Sequence, residues 1–477
     1  MTHPKGLYIL FFTEMWERFS YYGMRALLVL YLVNHLNIER AHALEIYATY
    51  TGLVYLTPIL GGYLADRYIG THRAILIGAM VMALGHFAMA FESLLYLALG
   101  LLIVGNGFFK PNISALVGQL YPPNDVRRDS GFTLFYMGIN LGAFFSPLVC
   151  GTLGEMFGWH YGFAAAGIGM LFGLVIFLYG QHLLTPAGSS QRQPLVATDW
   201  IVVISGTALA CAMVWGVVAF SPPLLRFWQT LATSMQLMLQ TLALAVILYG
   251  LSLGFKSYRH LQKIERDRVV VILILGMFVI FFWMGFEQAG GTLNLFADKH
   301  TDRSFLNGVI PASYFQSLNP LLILLLAPIF SIFWIRLDQS RFALSISVKM
   351  GLGMIILGLG FVVMALAQAQ ADRLGTVSPI WLMVVYLLHT IGELFLSPIG
   401  LSMVTKLAAT KIVSMMMGIW FGFIAVASYL AGTLESLIKH WDIPLYWFLV
   451  ISSCGAGLLL ILISPWLSKR MHLTDVA

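Results

Sequence analysis

Apolar runs of about 20 residues follow one another along almost the whole chain, separated by short polar loops. A helix of about 20 residues spans the hydrocarbon core of a bilayer, roughly 30 Å thick. The runs lack the period-two alternation of the shorter strands that form membrane barrels. Fourteen spans are predicted, at residues 7–33, 45–65, 74–92, 94–117, 130–150, 162–182, 199–220, 236–256, 270–297, 311–335, 344–368, 379–405, 412–434 and 443–467.

Composition supports the same class of protein. Of the 477 residues, 59% are hydrophobic and only 10% are charged, against about 25% charged in soluble domains. Only helices and closed barrels satisfy the backbone in lipid, so the chain is predicted to be an all-α polytopic membrane protein. The formal net charge of +6 does not indicate a nucleic-acid partner, because the cations are scattered over short loops.

The distribution of Lys and Arg predicts the orientation. With both termini in the cytoplasm, 18 of the 27 Lys and Arg residues lie on the cytoplasmic side and six lie outside. Cytoplasmic loops of membrane proteins carry an excess of Lys and Arg. The split therefore favours an even number of spans and cytoplasmic termini.

The fourteen spans divide into six, two and six. Residues 1–182 are predicted to form one six-helix bundle and residues 270–477 a second. Between them, residues 183–269 contain polar linkers and the two apolar spans 199–220 and 236–256. These two spans carry few polar residues, so we interpret them as additional lipid-facing helices.

The first span is unusual because it concentrates ionisable and phenolic side chains. At about 100° per residue, six of them fall on one arc of roughly 140°. Ionisable groups at bilayer depth cost several kcal/mol unless they are paired or hydrated. This face is therefore expected to point into the protein or an aqueous cavity, while the rest of the helix can meet lipid. A substrate or ion pathway is favoured, and an ion pair that only locks helices together is the alternative. The six residues are Glu14, Glu17, Arg18, Tyr21, Tyr22 and Arg25.

Three further charged residues lie inside later spans: Lys110, Glu287 and Glu393. Lys110 precedes the polar loop at Tyr121 by roughly 15 Å of helix, which places it near mid-bilayer. Trp283 and Glu287 are four residues apart and share a helix face. The cations of the membrane interior come only from the first half, whereas the second half contributes carboxylates alone. A zwitterionic substrate fits this division, since each half can meet one of its ends.

The first span also resembles a known family. Its sequence Glu-x-x-Glu-Arg-Phe-x-Tyr-Tyr-Gly, at residues 14–23, is similar to the first-helix signature of the proton-dependent oligopeptide transporters, bacterial type, within the major facilitator superfamily. Residues 105–114, around Lys110, resemble the fourth-helix pattern, and residues 135–142 resemble a second signature, Phe-Tyr-x-x-x-Asn-x-Gly. In the latter, Gly138 and Gly142 are expected to allow close helix packing. The loop at residues 62–73 resembles that of the superfamily between its second and third helices.

The resemblance implies a major facilitator fold and proton-coupled import of di- and tripeptides by alternating access. It implies that Arg18 and Lys110 bind the peptide carboxylate. The implied proton-coupling residues are Glu14, Glu17, Arg18 and Glu287. The implied substrate-binding residues are Arg18, Tyr22, Arg25, Tyr55, Lys110, Asn140, Trp283, Asn319, Glu393, Trp420 and Phe421. Among these, Glu393, Asn140 and Asn319 are expected at the amino end, and the aromatic residues in side-chain pockets. The implied gating residues are Asp66, Arg67 and Arg73.

Other functions stay open at this point. Relatives in the superfamily carry nitrate and other solutes, so a transporter of nitrate, an amino acid or a peptide-like compound is an alternative, and a passive channel is a less favoured one. An enzyme is not expected, because no nucleophile–base pair or metal-ligand set is evident. Protons are the expected coupling ion, with no other cofactor. The expected partners are a peptide and membrane lipids, with a monomer in the bacterial cytoplasmic (inner) membrane.

Overall fold

The computed structural model describes residues 3–122, 125, 127–184, 261–305, 308–341, 343–409 and 412–472. The predicted spans 199–220 and 236–256 lie outside these residues. A short antiparallel hairpin pairs β1 (Ser304–Phe305) with β2 (Gly308–Val309). The helices of the described chain are α1 (Lys5–Leu30), α2 (Arg40–Leu64), α3 (Thr71–Ala88), α4 (Leu95–Gln119), α5 (Arg128–Gly151), α6 (Trp159–Gly180), α7 (Lys263–Phe286), α8 (Thr292–His300), α9 (Leu318–Asp338), α10 (Ile346–Leu374), α11 (Ile380–Leu407), α12 (Val413–Ile438) and α13 (Leu445–Met471).

The helices before and after the 185–260 gap pack in the same pattern. In the first half α1 packs on α5 and α6, and α3 packs on α4; in the second half α7 packs on α12 and α13, and α10 packs on α11. The halves meet where α2 packs on α12 and where α5 packs on α9. Gly138 and Gly142 lie on α5 against the backbone of α1, which confirms their predicted role in close packing.

Helix α1 lies inside the first half, and the prediction that its apolar face can meet lipid is wrong for most of its length. Leu27, Leu28, Val29 and Leu30 are all 0% exposed. Four consecutive helical residues point in directions that together span about 300°, so the helix is enclosed on nearly every side at this level. Neighbouring helices pack around it, and the periodicity of the α1 sequence alone cannot predict this packing.

The predicted span 270–297 is interrupted in the structure, which differs from the single helix expected. Helix α7 ends at Phe286, a 3₁₀ turn covers Glu287–Gly290, and α8 starts at Thr292. Adjacent Gly290 and Gly291 favour a break, because glycine is a poor helix former. Helix α7 also begins seven residues before the predicted span, at Lys263, behind a capping box made by Gln262 and Glu265.

Ten helical segments of the described chain are long and apolar enough to cross a membrane. They begin with α3, and each of them coincides with one of the predicted spans. Helices α1 and α2 coincide with predicted spans as well but are more polar. Helix α1 carries Glu14, Glu17, Arg18 and Arg25 within its length, and these charged groups lower its hydropathy.

Candidate functional site

A cavity of 290 Å³ lies between the two halves. Helices α1, α2 and α5 of the first half contribute to its wall, and so do α7, α9, α11 and α12 of the second. Aromatic rings make up much of the surface, with a few polar groups between them, as is usual for a small-molecule site. The polar and aromatic residues that line it are Tyr22, Arg25, Tyr55, Tyr136, Asn140, Trp283, Phe286, Glu287, Gln316, Asn319, Tyr386, His389, Glu393, Ser397, Trp420 and Phe421.

An ion pair joins the two halves in the cavity wall. Arg25 Nη2 on α1 lies 2.7 Å from Glu287 Oε2, and both side chains are buried. Arg25 Nε also donates to the Tyr47 hydroxyl, at 2.7 Å. The guanidinium carbon of Arg25 lies 5.8 Å from the centre of the Tyr22 ring, within the range of a cation–π contact. Breaking such a buried pair on one side leaves an uncompensated charge and costs about 3–5 kcal/mol.

The helix break at Glu287 determines where this pair forms. Gln288 Nε2 donates to Met284 O at 3.2 Å and to Ala431 O of α12 at 2.8 Å, while Thr292 Oγ1 donates to Gln288 Oε1 at 2.7 Å. The bond to Met284 O satisfies a carbonyl that a continuous helix would pair internally. These bonds hold the turn against α12 with the Glu287 carboxylate directed at α1.

A second polar group in the cavity wall lies entirely within the second half. Asn319 Nδ2 on α9 donates to Glu393 Oε2 on α11 at 2.9 Å and to Thr390 Oγ1 at 3.0 Å. Glu393 is 8% exposed and forms no ion pair with any residue that the structure describes. The cavity therefore presents a carboxylate whose hydrogen-bond partner is a neutral amide.

The remaining charges of the first half form a cluster of their own. Glu17 accepts from Arg18, with 2.5 Å between Arg18 Nη2 and Glu17 Oε1, and Arg18 Nε lies 3.4 Å from Glu14 Oε1. Lys110 donates to Glu14, and Asn106 Nδ2 lies 3.5 Å from Glu17 Oε1. Two cations balance two carboxylates here, which is how buried charges are tolerated.

The structure thus divides the predicted site residues into two groups. Nine of the predicted substrate-binding residues and Glu287 line the cavity, whereas Glu14, Glu17, Arg18 and Lys110 are absent from its described lining. Their predicted roles remain predictions. The residues brought together are Tyr22, Arg25, Tyr55, Asn140, Trp283, Asn319, Glu393, Trp420 and Phe421.

The predicted gating loop follows α2. Asp66 and Arg67 lie in a π-helical turn at Ala65–Ile69, and both side chains are exposed. Arg67 Nη1 lies 3.2 Å from the Tyr63 hydroxyl. Asp66 forms no ion pair with Arg67 or Arg73 in the part of the chain described, and the gating role of the three residues stays a prediction.

Several cavity residues were not predicted from the sequence. Three of them share a helix face with Glu393. Tyr386 lies seven residues before it, His389 four residues before it and Ser397 four residues after it, so helical spacing could have found them. Tyr136 precedes Asn140 by four residues, and its backbone carbonyl accepts from Asn140 Nδ2 at 3.0 Å. Gln316 precedes Asn319 by three residues, so the same spacing could have found it, although it lies in the 3₁₀ turn Ala312–Ser317 before α9.

Comparison with known proteins identifies the family. A sequence model of the POT family matches residues 72–447. The chain belongs to this family. The POT-family chain described here is 37% identical to the transporter YclF of Bacillus subtilis (strain 168), over 98% of this chain and 95% of that protein. It is 34% identical to a di-/tripeptide transporter of Lactococcus lactis subsp. cremoris, over 98% and 96%.

A solved structure agrees with the fold. The crystal structure of a peptide transporter POT in complex with sulfate superposes with a TM-score of 0.82 at 35% identity, covering 98% of this chain and 96% of that one. The chain is accordingly an integral membrane protein with the fold of its family. The resemblance noted at residues 14–23 is confirmed, although those residues lie before the part matched by the family model.

Proposed function

We propose that this chain is a proton-coupled symporter that imports di- and tripeptides by alternating access. The Arg25–Glu287 ion pair carries the proposal, because it joins the two halves in the wall of the cavity. A pair in this position is sensitive both to protonation and to the relative placement of the halves. Similarity to a di-/tripeptide transporter and to a peptide transporter structure supports the substrate class.

The cavity suits a zwitterion whose charged ends are separated. Glu393 supplies a carboxylate for the peptide ammonium, with Asn319 beside it. Arg25 supplies a cation for the peptide carboxylate from the first half. Charge-assisted hydrogen bonds of this kind are about twice as strong as neutral ones. The aromatic residues of the cavity wall provide apolar contacts that tolerate different peptide side chains.

Competition for Arg25 is the proposed basis of coupling. An ionised Glu287 occupies the guanidinium, so a peptide carboxylate can bind Arg25 only by displacing a buried partner. A proton on Glu287 removes that charge and releases Arg25 for the peptide. Proton and peptide then favour the same state, and each increases the affinity for the other.

The cluster around Glu14 is proposed to relay the proton and to hold α4 against α1. Arg18 and Lys110 have less support than Arg25 as partners of the peptide carboxylate. Both are already paired with Glu14 or Glu17, and they are absent from the described cavity lining. A direct role for them requires a conformation in which those pairs open.

The cavity is proposed to open toward the cytoplasm in this structure. Glu155 Oε2 after α5 accepts from Ala312 N at 2.7 Å and lies 3.7 Å from Arg303 Nη1. Asn34 Nδ2 donates to Asp298 Oδ2 at 2.8 Å. These contacts join the two halves at the helix ends that the Lys and Arg distribution assigns to the outside. They close that side, so alternating access requires them to separate.

The remaining features of the proposed transporter are fourteen spans with cytoplasmic termini and a place in the bacterial inner membrane. We further propose that it works as a monomer in contact with lipid, and as a transporter without enzymatic activity. A transporter of nitrate, amino acids or peptide-like compounds is the alternative. A passive channel is a less favoured alternative, because passive conduction assigns no role to the ion pair that links the two halves.

Uptake into proteoliposomes tests the proposal. Labelled dipeptide should accumulate above its external concentration when a proton gradient is imposed, and excess unlabelled di- and tripeptides should compete. Amino acids, nitrate and sugars should compete poorly. Dipeptide movement that only equilibrates, with or without the gradient, would contradict symport, and better competition by nitrate would contradict the substrate class.

A further inference from the structure

Thr390 lies behind the carboxylate that faces the cavity. It is on α11, three residues before Glu393, with 0% exposure, and it is absent from the described cavity lining. Its Oγ1 donates to Tyr386 O at 2.7 Å. A threonine hydroxyl has one hydrogen, so this bond leaves Thr390 Oγ1 only lone pairs for any other partner.

The orientation of the Asn319 amide follows from this restriction. Thr390 Oγ1 can only accept, and Asn319 Nδ2 lies 3.0 Å from it. The second Asn319 N–H is directed at Glu393 Oε2, at 2.9 Å. Both amide hydrogens are therefore used within the second half, and the amide cannot turn its oxygen toward Thr390 without placing two acceptors against each other.

Two acceptor atoms remain for a ligand. No hydrogen bond within the described residues occupies Glu393 Oε1 or Asn319 Oδ1. Neither oxygen is fully buried, so both are accessible to a ligand. Both side chains line the cavity. A carboxylate oxygen and an amide oxygen on two hydrogen-bonded side chains match an ammonium group, which has three donors and no acceptor.

We propose that Thr390 is a positioning residue for the ammonium site. It holds the Asn319 amide so that its N–H group orients the Glu393 carboxylate and its oxygen faces the ligand. This role rests on the proposed peptide transport. Without the hydroxyl, one Asn319 N–H loses its partner and the amide is free to rotate. A rotated amide would direct its oxygen at the Glu393 carboxylate and its donors at the peptide ammonium, and both contacts are repulsive.

Isosteric substitution tests the role. Thr390→Val keeps the shape of the side chain and removes the hydroxyl, whereas Thr390→Ser keeps the hydroxyl. Thr433→Val on α12 is the matched control, because Thr433 Oγ1 makes the same type of bond, to Tyr429 O at 3.0 Å, away from the described cavity lining. Each protein is assayed for binding of a dipeptide and of its N-acetylated form, by competition against a labelled dipeptide.

The expected result is a selective loss. Thr390→Val should weaken binding of the free dipeptide about three- to tenfold, the range of a single neutral hydrogen bond. Binding of the N-acetylated form, which has no ammonium, should not change. Thr390→Ser should restore the affinity for the free dipeptide, and Thr433→Val should match the unsubstituted protein.

Two outcomes separate this role from the proposed function. Equal weakening of both ligands by Thr390→Val, or no weakening of either, would overturn the positioning role while peptide binding by the unsubstituted protein stands. Failure of the unsubstituted protein to bind any free dipeptide would refute the proposed function itself, and the role of Thr390 with it.

Discussion

Replacing Glu287 by Gln is expected to abolish proton-driven accumulation while leaving peptide exchange. Glutamine keeps the size and hydrogen-bonding capacity of the side chain but carries no titratable charge. In the structure Glu287 Oε2 lies 2.7 Å from Arg25 Nη2, and Tyr47 holds the Nε side of the same guanidinium. The variant should therefore retain Arg25 in place, but without a competing anion whose protonation can release it.

The size of the effect follows from the driving force. A difference of one pH unit supplies about 1.4 kcal/mol for each proton moved, which corresponds to a tenfold concentration ratio. With one coupled proton, the unsubstituted protein can accumulate peptide up to about tenfold for each pH unit. In Glu287→Gln the ratio should fall to about one, because a proton that cannot bind at this position cannot bias the two states.

Two assays in the same liposomes separate coupling from binding. Gradient-driven uptake should be lost in Glu287→Gln, whereas counterflow, which needs no net proton movement, should persist. Glu435→Gln is a suitable control, because Glu435 also forms an ion pair between the halves, at 3.1 Å from Arg40, but away from the described cavity lining. Accumulation that survives in Glu287→Gln would refute this mechanism and direct attention to Glu14 and Glu17.

Three further results are expected. N-acetylated dipeptides should bind about ten- to a hundredfold more weakly than free ones, since they lose a charge-assisted hydrogen bond to Glu393; equal competition by both forms would remove Glu393 from the ammonium site. Lys110→Ala leaves Glu14 without its lysine partner and removes a contact between α4 and α1, so it should reduce both driven uptake and counterflow, whereas unchanged counterflow would contradict the role of this contact in holding α4 against α1. Cysteines at Asn34 and Asp298, whose side-chain ends lie 2.8 Å apart, should be joined by a short, reducible bifunctional thiol reagent that blocks uptake until it is reduced; unimpaired uptake in the cross-linked protein would contradict opening at this side.

The polar residues of the first span illustrate what can and what cannot be predicted from the sequence. The cost of a charge in a bilayer is a local property, so the pattern Glu-x-x-Glu-Arg was sufficient to predict that this face avoids lipid. The pattern could not show that side chains on this face belong to two separate sites, the cavity and the cluster around Glu14. Arg25 reaches the cavity and Glu287, whereas Arg18 remains with Glu14 and Glu17. Residues seven positions apart share a face but lie about 10 Å apart along the helix, and the helices that pack at each level decide their partners.

The break after α7 illustrates the opposite case. Apolar length predicted one helix over residues 270–297, and the glycines at positions 290 and 291 permitted a break without requiring it. The hydrogen bond from Gln288 to Ala431 joins positions 143 residues apart. A contact between residues so distant in sequence cannot be predicted from the periodicity of either helix. The same is true of the apolar side of α1, which is buried by its neighbours although its composition would suit lipid.

The sequence by itself determined the class of the protein, the positions of its spans outside residues 185–260, and the charged residues that must lie in a polar environment. These follow from hydrophobic length and from the price of an unpaired charge in lipid, and both act on the chain locally. The tertiary structure alone decided the pairing of Arg25 with Glu287, the separation of the Glu14 cluster from the cavity, and the support of Asn319 by Thr390. Each of these joins side chains from different helices, and only the packing of those helices determines which groups come within hydrogen-bonding distance.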